Sequence, residues 1–169
     1  MTIAESVLPE FDQEMANTRR MLERVPDGNT DWRPHEKSMP LGRLATHLAE
    51  LPQWATNAVA LDELDIAPPG GGGFVPTILE RTSEIVELLD KNVAEARAHI
   101  AGADDATMMR DWSFKVAGET AFTLPKIAVI RSFVMNHMLH HRGQLSVYLR
   151  LLDQALPAIY GPSADEQPM

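Results

Sequence analysis

The 169-residue chain contains no cysteine. Disulfides, cysteine-ligated zinc, iron–sulfur clusters and thiol nucleophiles are therefore outside its chemistry, and any metal must be held by His, Asp or Glu. Basic residues are also scarce, 15 Lys and Arg against 24 Asp and Glu, for a formal charge of −9. Nucleic acid and anionic membrane surfaces reward clustered positive charge, so neither is expected as a partner. No uncharged apolar run approaches the ~18 residues of a membrane span. The N-terminal MTIAESVLPEF has acids where a secretory leader would have a basic segment and an apolar run, and a cytoplasmic protein is the expectation. The four glycines at 70–73 are not a phosphate loop, because no Lys-Ser/Thr follows them.

What is present is an ordinary globular composition, 44% hydrophobic and 23% charged, and a length that suits a single domain over residues 1–169. Apolar residues recur at helical spacing in four long stretches. The first covers about residues 2 to 24 and ends before Pro26-Asp27-Gly28. The second opens at Ser38-Met39-Pro40 and has the stripe Leu41, Leu44, Leu48, Leu51, Ala55 and Val59, with Pro52 expected to kink it. PPGGGGF then breaks the chain, and a third helix is predicted from near Pro76 to Ile100. Residues 102 to 123 read as an irregular connection, in which MMRDWSFKV could form a short strand or hairpin arm. The fourth helix opens after Thr123, has Pro125 early and runs to about Asp153; the proline-bearing tail from about 156 reads as coil. Four such helices predict an all-α four-helix bundle with long connections, in either up-down-up-down or up-down-down-up order.

Three of the six histidines fall within five positions of the last helix, in NHMLHHRGQLSVYLRLL. On a wheel of about 100° per residue, His137 and His141 lie one turn apart at the centre of the apolar face. His140 lies at its edge, Gln144 falls near its middle, and Arg131, Arg142, Ser146 and Arg150 fall on the opposite, polar face. A buried imidazole needs a hydrogen-bond partner or a metal, and an i, i+4 pair can share an ion. A third ligand should come from another helix, and His47, beside the Leu44–Leu51 stripe with Trp54 on the same side, is the candidate. The bland alternative is a metal-free bundle whose histidines bond one another. Glu50, one turn after His47, is a carboxylate that could approach the ion as a base or stay solvated. His99 and His35 read as a solvated helix-end residue and a loop residue. The three tryptophans read as core or pocket wall.

The segment WRPHEKSMPLGRLATHLAELPQW, followed by NHMLHHRGQLSVYLRLL and the tail PAIYGPSADE, resembles the DinB/YfiT-like family. The resemblance implies a four-helix bundle, often dimeric, that holds a divalent metal on three histidines, which map onto His47, His137 and His141. It also implies kinship with thiol-dependent S-transferases and a mycothiol-dependent isomerase, although a fold does not transfer a substrate.

Two functional classes follow. The first is a metal-dependent enzyme acting on a small molecule. Three neutral imidazoles leave a divalent ion positive and open to a further ligand, and zinc or nickel suits an all-imidazole shell. With no cysteine in the chain, a thiolate must come from a low-molecular-weight thiol cosubstrate, so thiol S-transfer to a small electrophile is the favoured reaction and hydrolysis the alternative. Gln144 or His140 would orient the ligand rings from behind, and Glu50 and Trp54 would stand at the pocket. The second class is a non-enzymatic metal- or ligand-binding dimeric module, for which a closed site with no adjoining pocket is expected.

Overall fold

A computed structural model gives the structure, which describes residues 1–167. Helix α1 (Ile3–Leu22) begins with a capping box: Glu5 N donates to Thr2 Oγ1 at 3.1 Å, and Thr2 N donates to Glu5 Oε2 at 2.7 Å. Helix α2 (Leu41–Ala60) remains one helix through the buried Pro52. Its second residue must be glycine, because a Cβ at Gly42 would sit 2.8 Å from the Thr30 side chain. After a long connection containing β1 (Glu63–Asp65) comes α3 (Thr82–Gly102). It starts six residues later than the apolar pattern predicts. Leu79 N donates to Thr46 Oγ1 at 3.0 Å and holds the preceding chain along α2, while Asp27 Oδ1 accepts from Thr82 N at 2.7 Å and fixes where the helix begins.

Helix α4 (Asp105–Met109) and the strands β2 (Asp111–Val116) and β3 (Glu119–Pro125) lead into one continuous helical run. That run is α5 (Lys126–Val129), a π-helical stretch (Ile130–Asn136) and α6 (His137–Leu151).

Helix α1 packs on α3 and α6, and α2 packs on the same two, so α1 and α2 are diagonal across the bundle. Side-chain pairs give the directions. Arg19 meets Asp90 and Asp12 meets Arg97, so α1 and α3 are antiparallel. Asn92 Nδ2 donates to Ala49 O at 2.9 Å, and His99 lies beside Val59, so α2 and α3 are parallel. Tyr148 reaches Met39 and Phe133 reaches Trp54, so the last run opposes α2. The order is up-down-down-up. A parallel α2–α3 pair needs a return as long as the bundle, which is the physical reason for the long glycine-bearing connection. No helix among the described residues is long and apolar enough to cross a membrane.

The expectation of an all-α fold is corrected by a three-stranded sheet in the order β1-β2-β3, with β1 parallel to β2 and β2 antiparallel to β3. Trp112, Phe114, Phe122 and Leu124 share one face of the hairpin and close a second small core over Trp54, Ala58, Val129 and Phe133. That period-two pattern is short, and it spans a turn at Ala117 and Gly118, both at positive φ as a two-residue hairpin loop requires. Asp65 Oδ2 accepts from Gly118 N at 2.7 Å and fastens the turn to the first connection.

The main core lies between the four long helices, on Phe11, Leu44, Leu48, Leu89, Ile100 and Leu145. Beyond Asp153 the tail is irregular but tethered: Arg20 donates to Ala158 O at 2.7 Å, and Arg150 pairs with Asp165 at 2.5 Å.

Candidate metal centre

His47 projects from the second turn of α2, and His137 and His141 from the first two turns of α6. The antiparallel packing of these helices brings the rings together. His47 Nε2 lies 3.4 Å from His137 Nε2, and His137 Nε2 lies 2.8 Å from His141 Nε2. One nitrogen from each of the three rings falls within 4.8 Å of the others. His141 is buried and the other two are half-buried. The π-helical stretch ends at Asn136, immediately before His137, a local distortion of a kind frequent at functional sites.

Two of the rings, those of His137 and His141, are held neutral. Burial first, then the neighbouring His141 and His47, draws the His137 pKa from 6.5 down to about 4. His141 is also lowered, by burial first, against the opposing hydrogen bond to Gln144. Neutral imidazole is the form that offers a lone pair to an ion.

The outward nitrogens of His141 and His47 have polar neighbours. His141 Nδ1 is 2.7 Å from Gln144 Oε1, which can only accept. Nδ1 therefore carries the proton, and the His141 Nε2 lone pair faces the cluster. The Gln144 amide nitrogen lies 3.0 Å from His140 Nε2, tying both sequence candidates into one contact. His47 Nδ1 lies 3.3 Å from the Arg43 guanidinium and 3.8 Å from Glu50 Oε2, and Arg43 and Glu50 pair at 2.6 Å. Burial would push the Glu50 carboxyl up, but the bonds from His47 and Arg43 outweigh it and hold it below the usual carboxylate range. Glu50 is thus a paired, shielded carboxylate, not a solvated one.

The donor set fits a divalent cation. Ligand nitrogens about 2.0–2.1 Å from a tetrahedral ion lie about 3.3 Å apart. The His47–His137 separation matches this, and the His137–His141 pair needs to open by about half an ångström, within the reach of small ring rotations.

A cavity of about 730 Å³ lies between α2, α3 and the glycine-bearing connection. None of the three histidines lines it, but Glu50 and Trp54 do. Trp54 packs on Phe133 at 5.8 Å between ring centroids, and Phe133 in turn is 6.1 Å from the His137 ring. Glu50 and Trp54 therefore form the partition between cluster and cavity. His35 is exposed in its loop, and His99 is half-buried beside Val59 in a separate cleft; neither joins the cluster.

Two wheel positions need correction. Gln144, placed near the middle of the apolar face, is exposed, and Arg142, placed on the polar face, is buried at 4% exposure. The π-helical turns hold more residues than α-helical ones, so a wheel counted at 100° through Ile130–Asn136 loses its register. All four residues lie within α6, whose inward face is centred on Met138, Leu145 and Leu149; His137 is left half-buried at its edge, still one turn from the buried His141. The sequence reading also passed over Arg43, although its spacing of four and seven residues from His47 and Glu50 puts all three on one face. Lys126, fully buried and donating to Val59 O at 3.1 Å at the end of α2, gave no signal.

The sequence model of the DinB family matches residues 2–168. The chain belongs to the DinB family. Two solved DinB-like proteins have the same fold. One, YjoA from Bacillus subtilis, is 18% identical with a TM-score of 0.68, over 90% of this chain and 95% of its own. Another, from Bacillus cereus ATCC 10987, is 20% identical with a TM-score of 0.69, over 94% of this chain and 98% of its own. At such identities the likeness to these DinB-like structures is one of fold alone. No curated protein matches this DinB chain.

Proposed function

We propose that this DinB-family protein is a metal-dependent enzyme that joins the thiolate of a low-molecular-weight thiol to a small electrophile, the thiol proton passing to solvent and any displaced group leaving as its anion. The observation that carries the reading is the convergence of the His47, His137 and His141 nitrogens while the outward Nδ1 of His141 is engaged by Gln144. A divalent ion on three neutral imidazoles, zinc or nickel by the donor set, supplies a Lewis acid that lowers the pKa of a thiol or water bound to it.

The remaining tasks belong to the chain. His47, His137 and His141 supply the lone pairs, and the lowered basicity of His137 and His141 keeps protons from competing there at neutral pH. Gln144 fixes the His141 tautomer, and Arg43 with Glu50 fixes the face of His47. Glu50 stays ionised beside the cluster and offsets part of the positive charge. The cavity on the far side of Glu50 and Trp54 gives an organic substrate a place one side chain away from the cluster, which is why a catalytic reading is preferred to a closed structural site. Hydrolysis is the competing reaction, since the same site would acidify water. The exposed Val147 and Leu151 on α6 suit a homodimer contact, testable by light scattering.

The test is elemental analysis of protein purified without an affinity tag, with the His137→Ala variant beside it, followed by thiol conjugation to monochlorobimane. Near-stoichiometric metal and conjugation, both lost in the variant, support the reading. Metal without conjugation for any of several thiols, but with ester cleavage, favours the hydrolase. No metal after reconstitution removes the enzyme reading.

A further inference from the structure

We propose that the 730 Å³ cavity binds a small, largely apolar, uncharged or cationic organic molecule, and that Arg43 couples its occupancy to the histidine cluster. The proposal rests on the cluster being a metal site.

The volume falls inside the ~300–1,000 Å³ range of organic-ligand pockets. Its walls are apolar and aromatic at Trp54, Phe74, Leu79 and Leu88, with amides at Gln53 and Asn57 for orientation. Among the lining residues Glu50, Asp65, Glu84 and Glu87 face one base, Lys91. Arg43 and Arg81 neutralise Glu50 and Glu84, and Asp65 is spent on the hairpin turn. The remaining field does not favour a polyanion. At the rim, Phe74 is 47% and Val75 78% exposed, apolar surface left for a ligand to cover.

The wall that presents Phe74 and Val75 is a loop, anchored on one side where Phe74 N donates to Ile66 O at 2.8 Å. Gly70, Gly71 and Gly72 have φ between +84° and +102°, and a Cβ at Gly73 would meet Ile66 O at 2.4 Å, so the loop path demands glycine there. Further along, Arg43 holds it. One guanidinium nitrogen donates to Thr77 O at 2.8 Å, and the group lies 5.9 Å over the Phe74 ring. The other nitrogen bonds Glu50 and approaches His47. Because the guanidinium is a rigid planar fork, fixing His47 and Glu50 fixes the loop, and a ligand seated against Phe74 orders His47 in return.

Two dyes serve as probes: uncharged N-phenyl-1-naphthylamine and anionic anilinonaphthalene sulfonate, each titrated with and without zinc. The uncharged dye is expected to bind at one site and about fivefold more tightly with zinc. The anionic dye is expected to bind more weakly. Leu88→Glu, which places charge in the wall, should abolish binding. Arg43→Met should weaken zinc, because it frees the His47 ring, and should lose the coupling even at saturating zinc; Arg43→Lys should restore part of it. Hydrogen exchange at residues 74–77 should slow with zinc in the wild type only. Dye affinity indifferent to zinc, coupling that survives Arg43→Met, equal binding of the anionic dye, or binding unaffected by Leu88→Glu would each overturn the proposal. Phe74→Ala, at an exposed position, supplies the test if Arg43→Met does not fold: it should retain zinc and weaken the dye, and unchanged dye affinity counts against the site. Absence of zinc binding removes the metal reading and the coupling together. Zinc bound beside an indifferent loop removes the coupling alone.

Discussion

His141 and Arg142 are neighbours in sequence, both nearly buried, and they belong to two polar clusters of opposite design. Arg142 turns toward α1, where its guanidinium donates to Glu14 Oε2 at 2.7 Å, Glu14 O at 3.1 Å, Thr18 Oγ1 at 3.2 Å and Tyr160 at 2.5 Å. Tyr160 itself donates to Glu14 at 2.7 Å. Charge and hydrogen bonds are all met within the chain, so the cluster fastens α6 and the tail onto α1. His141 turns toward α2, where three imidazoles crowd together and the proton affinity of His137 and His141 is suppressed instead of compensated. A buried network that closes on itself is structure; one whose lone pairs converge on a shared point has room for something else.

The difference is broken most severely at Arg142. Arg142→Met leaves the Glu14 carboxylate buried without its cation and should cost about 3–5 kcal/mol in urea unfolding. The metal affinity of the surviving folded fraction should stay unchanged. Adding Glu14→Gln should recover part of the loss, since no buried charge is then unpaired. A loss below about 1 kcal/mol would mean that the ion pair is replaceable packing.

His137→Ala reverses the pattern. It removes one of three ligands, so metal content should fall from near one per chain to near none. The metal-free stability should move by no more than about 1 kcal/mol, because the truncation also relieves three crowded rings. Elemental analysis and metal-free denaturation measure the two separately. A large stability loss without metal would place His137 with the structural cluster.

Gln144→Leu is gentler. It takes away the acceptor that holds the His141 Nδ1 proton outward but leaves every ligand in place. Metal affinity should fall about tenfold by competition with a chromophoric chelator. Unchanged affinity would sink the orienting role.

The same pair of residues shows what could be read from sequence. The three ligand candidates were legible because a helical spacing of four inside one regular helix and an inward His on a second are local facts. Arg142 and Gln144 were assigned to the wrong faces because their places depend on the π-helical stretch and on the tail that covers α1, and neither leaves a compositional mark. The bundle followed from long apolar periodicities. The sheet was only half visible, since β1 is three residues long and pairs with a strand about fifty residues away. The helix order needed the α2–α3 contacts, which no single-helix pattern encodes. Lys126 reads as a surface lysine until the C-terminal carbonyls of α2 are known to sit above it.

The smallest effect is the most diagnostic of the contrast. His137 has its folded pKa near 4 and an ordinary value of 6.5, so the unfolded chain binds the extra proton between those limits. Its contribution to metal-free stability is full above pH 6.5, declines as the pH falls, and is gone below about 4. Between pH 6.5 and 5.5 the decline should be about 1 kcal/mol. Denaturant titrations across that interval should show the slope in the wild type and a flatter one in His137→Ala. Added zinc should steepen the acid loss, because protons then displace an ion as well as destabilise a fold. An unchanged slope in the variant would mean that His137 accepts a proton as readily folded as unfolded, and the crowding of neutral rings would lose its energetic basis.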